Sequence, residues 1–331
     1  MAGSSKNKIV ALRILEILTK YSDDSHELNA AQIIDYLADV YDLSVERKAV
    51  YRDIAALEEC GFDIIKNGKG YFLGARPFES AELRLLIDAV QSARFISGKK
   101  SEQMIKKLGT LCSEYEYKQL KQQVFLDSRT KGANEEVFYS IDAINKAISS
   151  AKKLTFKYLK YDEKRNAVPR YGGKIYEVNP YSLVWADDAY YLICNMDKFD
   201  TLAHYRVDRM VSAKVKDKKR RPVNDIEGFK DGLDAAKYIK GRFTMFSGQE
   251  QRVQVSFHSS LRDVVYDRFG TDVTAHDEGE NMIATINVLP SKGFYSWLFM
   301  LGDKAKIVYP QEVAEEYGKM LIEISGLYNY N

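Results

Sequence analysis

The stretch Leu43–Gly61, LSVERKAVYRDIAALEECG, constrains this chain more than any other segment. On a helical wheel at about 100° per residue, Val50, Ile54 and Leu57 fall on one narrow arc. Arg47, Lys48, Tyr51 and Arg52 fall on a separate arc roughly a third of a turn away. An apolar stripe beside a stripe of Arg, Lys and Tyr predicts a helix anchored on one side that presents donors on the other, with Ser44 as its expected cap. Arginine can fork onto O6 and N7 of guanine in the major groove, while lysine and tyrosine reach phosphates. FDIIKNGKGYFLG follows directly. Phe62–Lys66 and Tyr71–Leu73 read as strands flanking Asn67-Gly68-Lys69-Gly70, where Asn-Gly is expected to supply the positive φ angles of a tight hairpin. Lys66 and Lys69 then stand at its tip.

Two helices are expected upstream. Lys8–Tyr21 carries Ile9, Leu12, Leu15, Ile17 and Leu18. Asn29 can cap a second helix whose apolar face is Ile33, Ile34, Leu37 and Val40. Three helices and a hairpin in this order predict a winged helix-turn-helix over residues 1–76. The competing reading is a small helical bundle with solvated charges. Bulk charge does not decide between them, because the chain has 49 Lys+Arg against 47 Asp+Glu. Placement does: Arg47, Lys48, Arg52, Lys66 and Lys69 concentrate in the third helix and the wing. A weak overall field with a focused basic patch suits a site-specific duplex binder better than a general nucleic-acid coat.

At 331 residues the chain is long enough for two or three domains. It has no apolar run of membrane-spanning length and no signal-peptide core at MAGSSKNK, so a cytoplasmic protein without membrane attachment is expected. Cys60, Cys112 and Cys194 are few, scattered and odd in number, which argues against a disulfide framework. His26, His204, His258 and His276 show no metal-ligand spacing, and neither metal nor cofactor is expected. The motif patterns of nucleophile elbows, P-loops, dinucleotide folds and zinc proteases are absent, so no catalytic residues are assigned. Gly172-Gly173 and Asp187-Asp188 read as turns, and Cys194 as a core residue.

Past Pro77 the period is helical to about residue 126. Ser80 is expected to cap the first helix, and Gly98 to break the pattern before Ser101 restarts it. Residues 77–134 are read as a connector that ends in a polar loop at 128–134. After an amphipathic helix at Val137–Ser150 the period changes to two. Short strands are expected at Leu154–Tyr158, Ile175–Asn179, Ser182–Ala186, Tyr190–Met196, Leu202–Val207 and Val211–Lys216, in a small, strongly bent barrel spanning 135–222. Here the sequence resembles the WYL domain family. The resemblance rests on Asn179-Pro180-Tyr181-Ser182-Leu183, on Tyr190-Tyr191-Leu192, where Tyr190 stands for the tryptophan of the name motif, and on His204-Tyr205-Arg206-Val207-Asp208-Arg209-Met210. It implies an Sm-like barrel that senses a ligand. Residues 223–331 are read as a linker followed by strand–helix–strand–strand–helix–strand and a closing helix, the ferredoxin-like order. The whole arrangement resembles WYL-type bacterial transcriptional regulators, whose C-terminal extension is associated with pairing between protomers.

The multidomain α+β chain is therefore expected to bind a double-stranded DNA operator as a homodimer through Ser44, Arg47, Lys48, Tyr51, Arg52, Lys66 and Lys69. An anionic ligand, a nucleotide or single-stranded nucleic acid, is expected at Tyr158, Ser182, Tyr190, Tyr191, His204, Tyr205, Arg206 and Arg209. Arginine forks suit phosphate, and tyrosine rings stack on bases. The plainer reading of the arginines is a surface ion-pair cluster, and that of KVKDKKRR at 214–221 a solvated strand. The alternative function is a DNA-damage or phage-defence accessory factor without operator-specific regulation.

Overall fold

The computed structural model describes residues 2–122, 134–240, 242–243, 245, 248 and 250–328, and the polar loop expected at 128–134 lies, apart from Asn134, outside them. The chain forms two compact units, Met1–Ala133 and Asn134–Asn331.

In the first unit, α1 (Ala2–Tyr21), α2 (Ala30–Tyr41) and α3 (Arg47–Glu59) precede the hairpin β1 (Ile64–Lys66) and β2 (Tyr71–Leu73). Asn29 and Gln32 form a reciprocal capping box at α2. Asp42, at φ +53°, ends that helix in the left-handed region. Val10, Ile14, Ile17, Leu18, Ile33, Leu37, Val50, Ile54 and Leu57 share one core. Ile9, Leu12 and Val40, expected on the apolar faces, are exposed instead. Ser44 does not cap α3. The helix begins at Arg47 with Glu46 in the cap position and no side-chain cap bond. Residues 43–46 stay out of the helix because Leu43 and Val45 pack on the core. Gly61, at φ +90°, closes α3, its N–H bonding the Glu58 carbonyl while the Phe62 N–H bonds that of Leu57. That pair of bonds is a Schellman motif, and the positive φ suits glycine.

The wing turns by a different device from the one expected. Neither Asn67 nor Gly68 has a positive φ. The Asn67 carboxamide oxygen accepts from the N–H groups of Lys69 (2.9 Å) and Gly70 (3.2 Å), so the side chain does the turning. The glycine that matters sterically is Gly70. Tyr71 pairs with Leu28 through two backbone bonds of 2.9 Å, and a Cβ at Gly70 would lie 2.5 Å from the Leu28 carbonyl carbon.

The connector comprises α4 (Ser80–Ser92), α5 (Gly98–Leu108) and α6 (Glu114–Gln122). Glu79, not Ser80, caps α4 in a box with Glu82, and Ser97 caps α5 so that the helix includes Gly98. Arg76 ties the end of the wing to α1, donating to the carbonyls of Thr19 (2.9 Å) and Ser22 (2.6 Å).

The second unit opens with α7 (Val137–Ser149), then β3 (Lys152–Tyr161), β4 (Ala167–Pro169), β5 (Ile175–Ala186), β6 (Ala189–Asn195), β7 (Leu202–Arg206) and β8 (Met210–Lys219). The strands run β8-β3-β5-β6-β7, with β4 on the far end of β3. The bent barrel is not closed: no ladder joins β7 to β8 among the described residues. A single strand, β5, runs through Pro180 where two were expected, and an irregularity between Pro180 and Ser182 absorbs the missing donor. Asp187 and Asp188 form the β5–β6 turn, both at positive φ. One sheet face packs Leu154, Phe156, Val178, Leu192 and Cys194 against Ile144 and Ala147 of α7. Burial pushes the Cys194 thiol pKa upward, as suits a core residue.

After the short α8 (Ala235–Lys240) come β9 (Gln251–His258), α9 (Arg262–Phe269), β10 (Thr274–Glu278), β11 (Asn281–Val288), α10 (Lys292–Met300), β12 (Ala305–Tyr309) and α11 (Gln311–Gly326). Their antiparallel sheet runs β10-β11-β9-β12 over a core of Val253, Val255, Phe257, Phe294 and Leu298. Trp297 packs against Phe243, Phe257 and Phe269. Phe299 and Met300 remain 59% and 75% exposed.

The wing geometry makes a paired prediction. Gly70→Ala should destabilise the first unit by about 1–3 kcal/mol, because the added methyl meets backbone that cannot yield. Gly68→Ala, with nothing within 4 Å of its Cβ, should be close to neutral. Thermal melts of the two variants read the difference, and equal melting temperatures would contradict it.

Candidate functional site

Burial of Val50, Ile54 and Leu57 fixes the rotation of α3, and the separate basic arc is left to solvent. Arg47, Lys48, Tyr51 and Arg52 are all exposed, as are Ser44, Lys66 and Lys69. The exposed side chains are tethered. The Arg47 Nε donates to the Tyr51 hydroxyl at 2.8 Å, and the guanidinium lies 5.7 Å from the Tyr51 ring. Lys66 sits 5.7 Å from the Tyr71 ring across the hairpin. The Arg52 Nε and Nη2 both reach Asp53 Oδ1 at 3.0 Å. Asp53 was not expected to contribute, yet it is only 5% exposed. Its signal was an acidic residue three positions after Val50, on the apolar side of the wheel.

The second set of candidates divides between the two faces of one sheet. Strand alternation sends neighbours to opposite sides. Tyr158 and Tyr205 join Phe156 and Tyr176 in a ring cluster with centroids 5.2–6.3 Å apart. Tyr190 packs on the same core and meets Trp185 edge-on at 5.0 Å. Ser182, Tyr191, His204 and Arg206 lie on the other face. There Ser182 is opposite Ile193, Ile193 opposite His204, and Tyr191 opposite Arg206. Of the expected aromatics Tyr191 shares the Arg206 face, whereas Tyr158, Tyr190 and Tyr205 belong to the core face.

The arginines differ as well. The Arg206 Nε and Nη2 donate to the two carboxylate oxygens of Asp208, at 3.1 and 2.8 Å. This bidentate pair matches the plainer reading of the arginines, a surface ion-pair cluster. The corner Val207–Arg209 is held from several sides. The Arg206 N–H donates to the Tyr158 hydroxyl at 3.2 Å, and Asn134 Nδ2 donates to the carbonyls of Asp208 (3.0 Å) and Met210 (2.7 Å). Arg209 is exposed at this braced corner. Asn134 was not anticipated.

His204 Nε2 lies 3.0 Å from the Tyr238 hydroxyl. Burial, with the nearby Arg242 charge, lowers its pKa to about 4, so it is neutral at pH 7 and adds no positive charge. Lys153, also unanticipated, is buried beside Glu177 (3.3 Å) and Asp197, and Asn179 donates to the same Asp197 at 2.7 Å. Among the described residues, no group of three or more His, Cys, Asp or Glu side chains is arranged to hold a metal, and no helix is long and apolar enough to cross a membrane.

The histidine gives a pH prediction. Unfolded, its pKa is about 6.5. Between that value and about 4 the unfolded chain takes up a proton that the folded chain refuses. The contribution of His204 to stability therefore falls as pH drops through this window and is constant below it. His204→Asn should flatten that part of the stability profile measured by denaturant titration. An unchanged slope would show that His204 does not titrate this way.

Comparison with known proteins places domains on this geometry. A model of the HTH domain matches residues 12–72, one of the WYL domain residues 140–215, and one of the WCX domain residues 249–324. A search of curated proteins finds no match. Among solved structures, the chain is similar to proteasome accessory factor B/C (PafBC) of Arthrobacter aurescens, at 16% identity and a TM-score of 0.28, over 97% of this chain and 49% of that one. It thus spans about half the length of that relative. It is also similar to a CRISPR Cas-related protein, at 15% identity and a TM-score of 0.39, over 98% of this chain and 86% of that one. The chain therefore carries an HTH domain, a WYL domain and a WCX domain in this order, as expected for a WYL domain-containing helix-turn-helix protein.

Proposed function

We propose that the chain regulates transcription by binding a specific duplex operator through α3 and the wing, and that its WYL domain modulates this binding on meeting an anionic ligand. One observation carries the operator reading: Arg47, Lys48, Tyr51 and Arg52 share the solvent arc of a helix whose apolar arc is locked in a core. Such a helix offers base-reading donors in a fixed rotation, and Lys66 and Lys69 on the wing suit phosphates. Ser44, exposed just ahead of α3, is proposed as a further backbone contact.

The ligand reading centres on the Arg206–Arg209 corner. Arg209 is the cation left outward there, and an incoming phosphate or carboxylate would compete with Asp208 for Arg206. Ser182, Tyr191 and His204 share the Arg206 face as neutral neighbours, whereas Tyr158, Tyr190 and Tyr205 support the sheet from its other side. A nucleotide or a single-stranded nucleic acid end fits this chemistry, though the base platform is smaller than the sequence alone suggested. A ligand there acts only through its different affinity for two states of the chain. The open sheet is read as an Sm-like arrangement, and the order β10-β11-β9-β12 as ferredoxin-like. Exposed Phe299, Met300 and Ile322 on that domain favour a homodimer. The accessory-factor alternative differs in predicting little sequence selectivity.

Arg47→Ala and Arg52→Ala should each cost roughly 1–3 kcal/mol on a selected duplex and relax its sequence preference. Lys69→Ala should weaken every duplex alike and lower the salt slope by about one. Both arginine variants binding like the parent chain in a titration would reject this face. Arg209→Ala should bind the operator normally yet lose the regulatory response in a reporter strain, and a normal response would move sensing elsewhere. Light scattering should give a dimer at micromolar concentration; a monomer that still binds the operator would contradict the dimer.

A further inference from the structure

We infer that Asp53 is a specificity-determining positioning residue, which holds the Arg52 guanidinium by its Nε–Nη2 edge and so sets which base pair α3 reads. This rests on the operator reading above and goes beyond it by assigning a role to a residue that meets no DNA. Asp53 is 5% exposed, on a helix whose neighbouring Val50, Ile54 and Leu57 form the core. A carboxylate in such a place is costly unless paired. One of its oxygens, Oδ1, accepts from the Arg52 Nε at 3.0 Å and forms an ion pair with Nη2 at 3.0 Å, and the other, Oδ2, is buried without a hydrogen-bond partner. Among the described residues Arg52 is thus the partner found for this buried carboxylate, while most of its own side chain remains in solvent, 58% exposed. The arrangement has a directional consequence. With Nε occupied and Nη2 paired with the same oxygen, the donors left facing outward on Arg52 are those of the Nη1–Nη2 end. These form an end-on fork, the geometry that matches O6 and N7 of one guanine. A free arginine samples many rotamers, whereas a tethered one has little freedom left to lose on binding.

The test is a selection of duplexes from a randomised pool by the full chain and its variants, with each recovered base profile compared position by position. The parent chain should yield a consensus in which Arg52→Ala relaxes one or two adjacent positions. Asp53→Asn keeps the shape but removes the charge, and should relax those same positions by about fivefold or more, the lower end of one bidentate base contact. Added to Arg52→Ala, it should change the profile no further. Arg52→Lys, which keeps a positive charge but lacks the edge that Asp53 grips, should relax the same positions, and it serves as the test if Asp53→Asn fails to fold. A consensus left intact by Asp53→Asn or by Arg52→Lys, or Asp53→Asn relaxing unrelated positions, overturns the inference while sparing the operator reading. A parent chain that recovers no consensus overturns both.

Discussion

The burial of Val50, Ile54 and Leu57 is the constraint on which the DNA-facing half of this protein depends. It fixes the rotation of α3 and thereby decides that Arg47, Lys48, Tyr51 and Arg52 face outward together. The surrounding hydrogen bonds act on position rather than rotation. The Schellman bonds at Gly61 end the helix at one residue, the contact of Gly70 with Leu28 sets where the wing begins, and Arg76 ties the chain after the wing to the end of α1. Each is local and each is satisfied by named groups, so the basic arc rests on a rigid frame. Hydrogen bonds within the arc, Arg47 to Tyr51 and Arg52 to Asp53, then restrict the side chains themselves. Preorganisation of this kind favours discrimination between sequences over affinity for DNA in general.

The second unit solves a different problem. Its sheet carries the Arg206–Arg209 corner, proposed above as a ligand site, beside a core on its other face. Tyr158 links the two: its ring lies in the aromatic cluster, and its hydroxyl accepts the backbone N–H of Arg206. Asn134 braces the same corner from the start of α7. A change in how Arg206 is paired would therefore be felt in both the sheet and the helix, which gives a ligand at this corner a physical path into the domain.

Periodicity made much of this legible in the sequence. The core arc of α3, the wing strands and the strand–helix alternation of the last eighty or so residues follow from repeats of about 3.6 and 2 that burial enforces. Details decided by one competing hydrogen bond were not legible. Asn67 turns the wing with its side chain, Glu79 and Ser97 take caps expected elsewhere, and Leu43 and Val45 prefer the core to a helix that would start at Ser44. The residues expected to form one ligand cluster divide between the two sheet faces. Alternation already implied that Tyr190 and Tyr191 face opposite ways. An ion pair was one of two readings for the arginines, and nothing in the spacing said that the ends of the sheet would stay unpaired.

The central claim is sequence-specific duplex binding, and the most direct measurement is the ratio of affinities for a duplex selected from a random pool and for a scrambled duplex of equal length, at physiological salt. A protein that reads bases through a locked α3 should prefer the selected duplex by about a thousandfold or more. A ratio near one, with both affinities falling equally as salt rises, would show that the basic arc binds phosphates alone and would contradict the account.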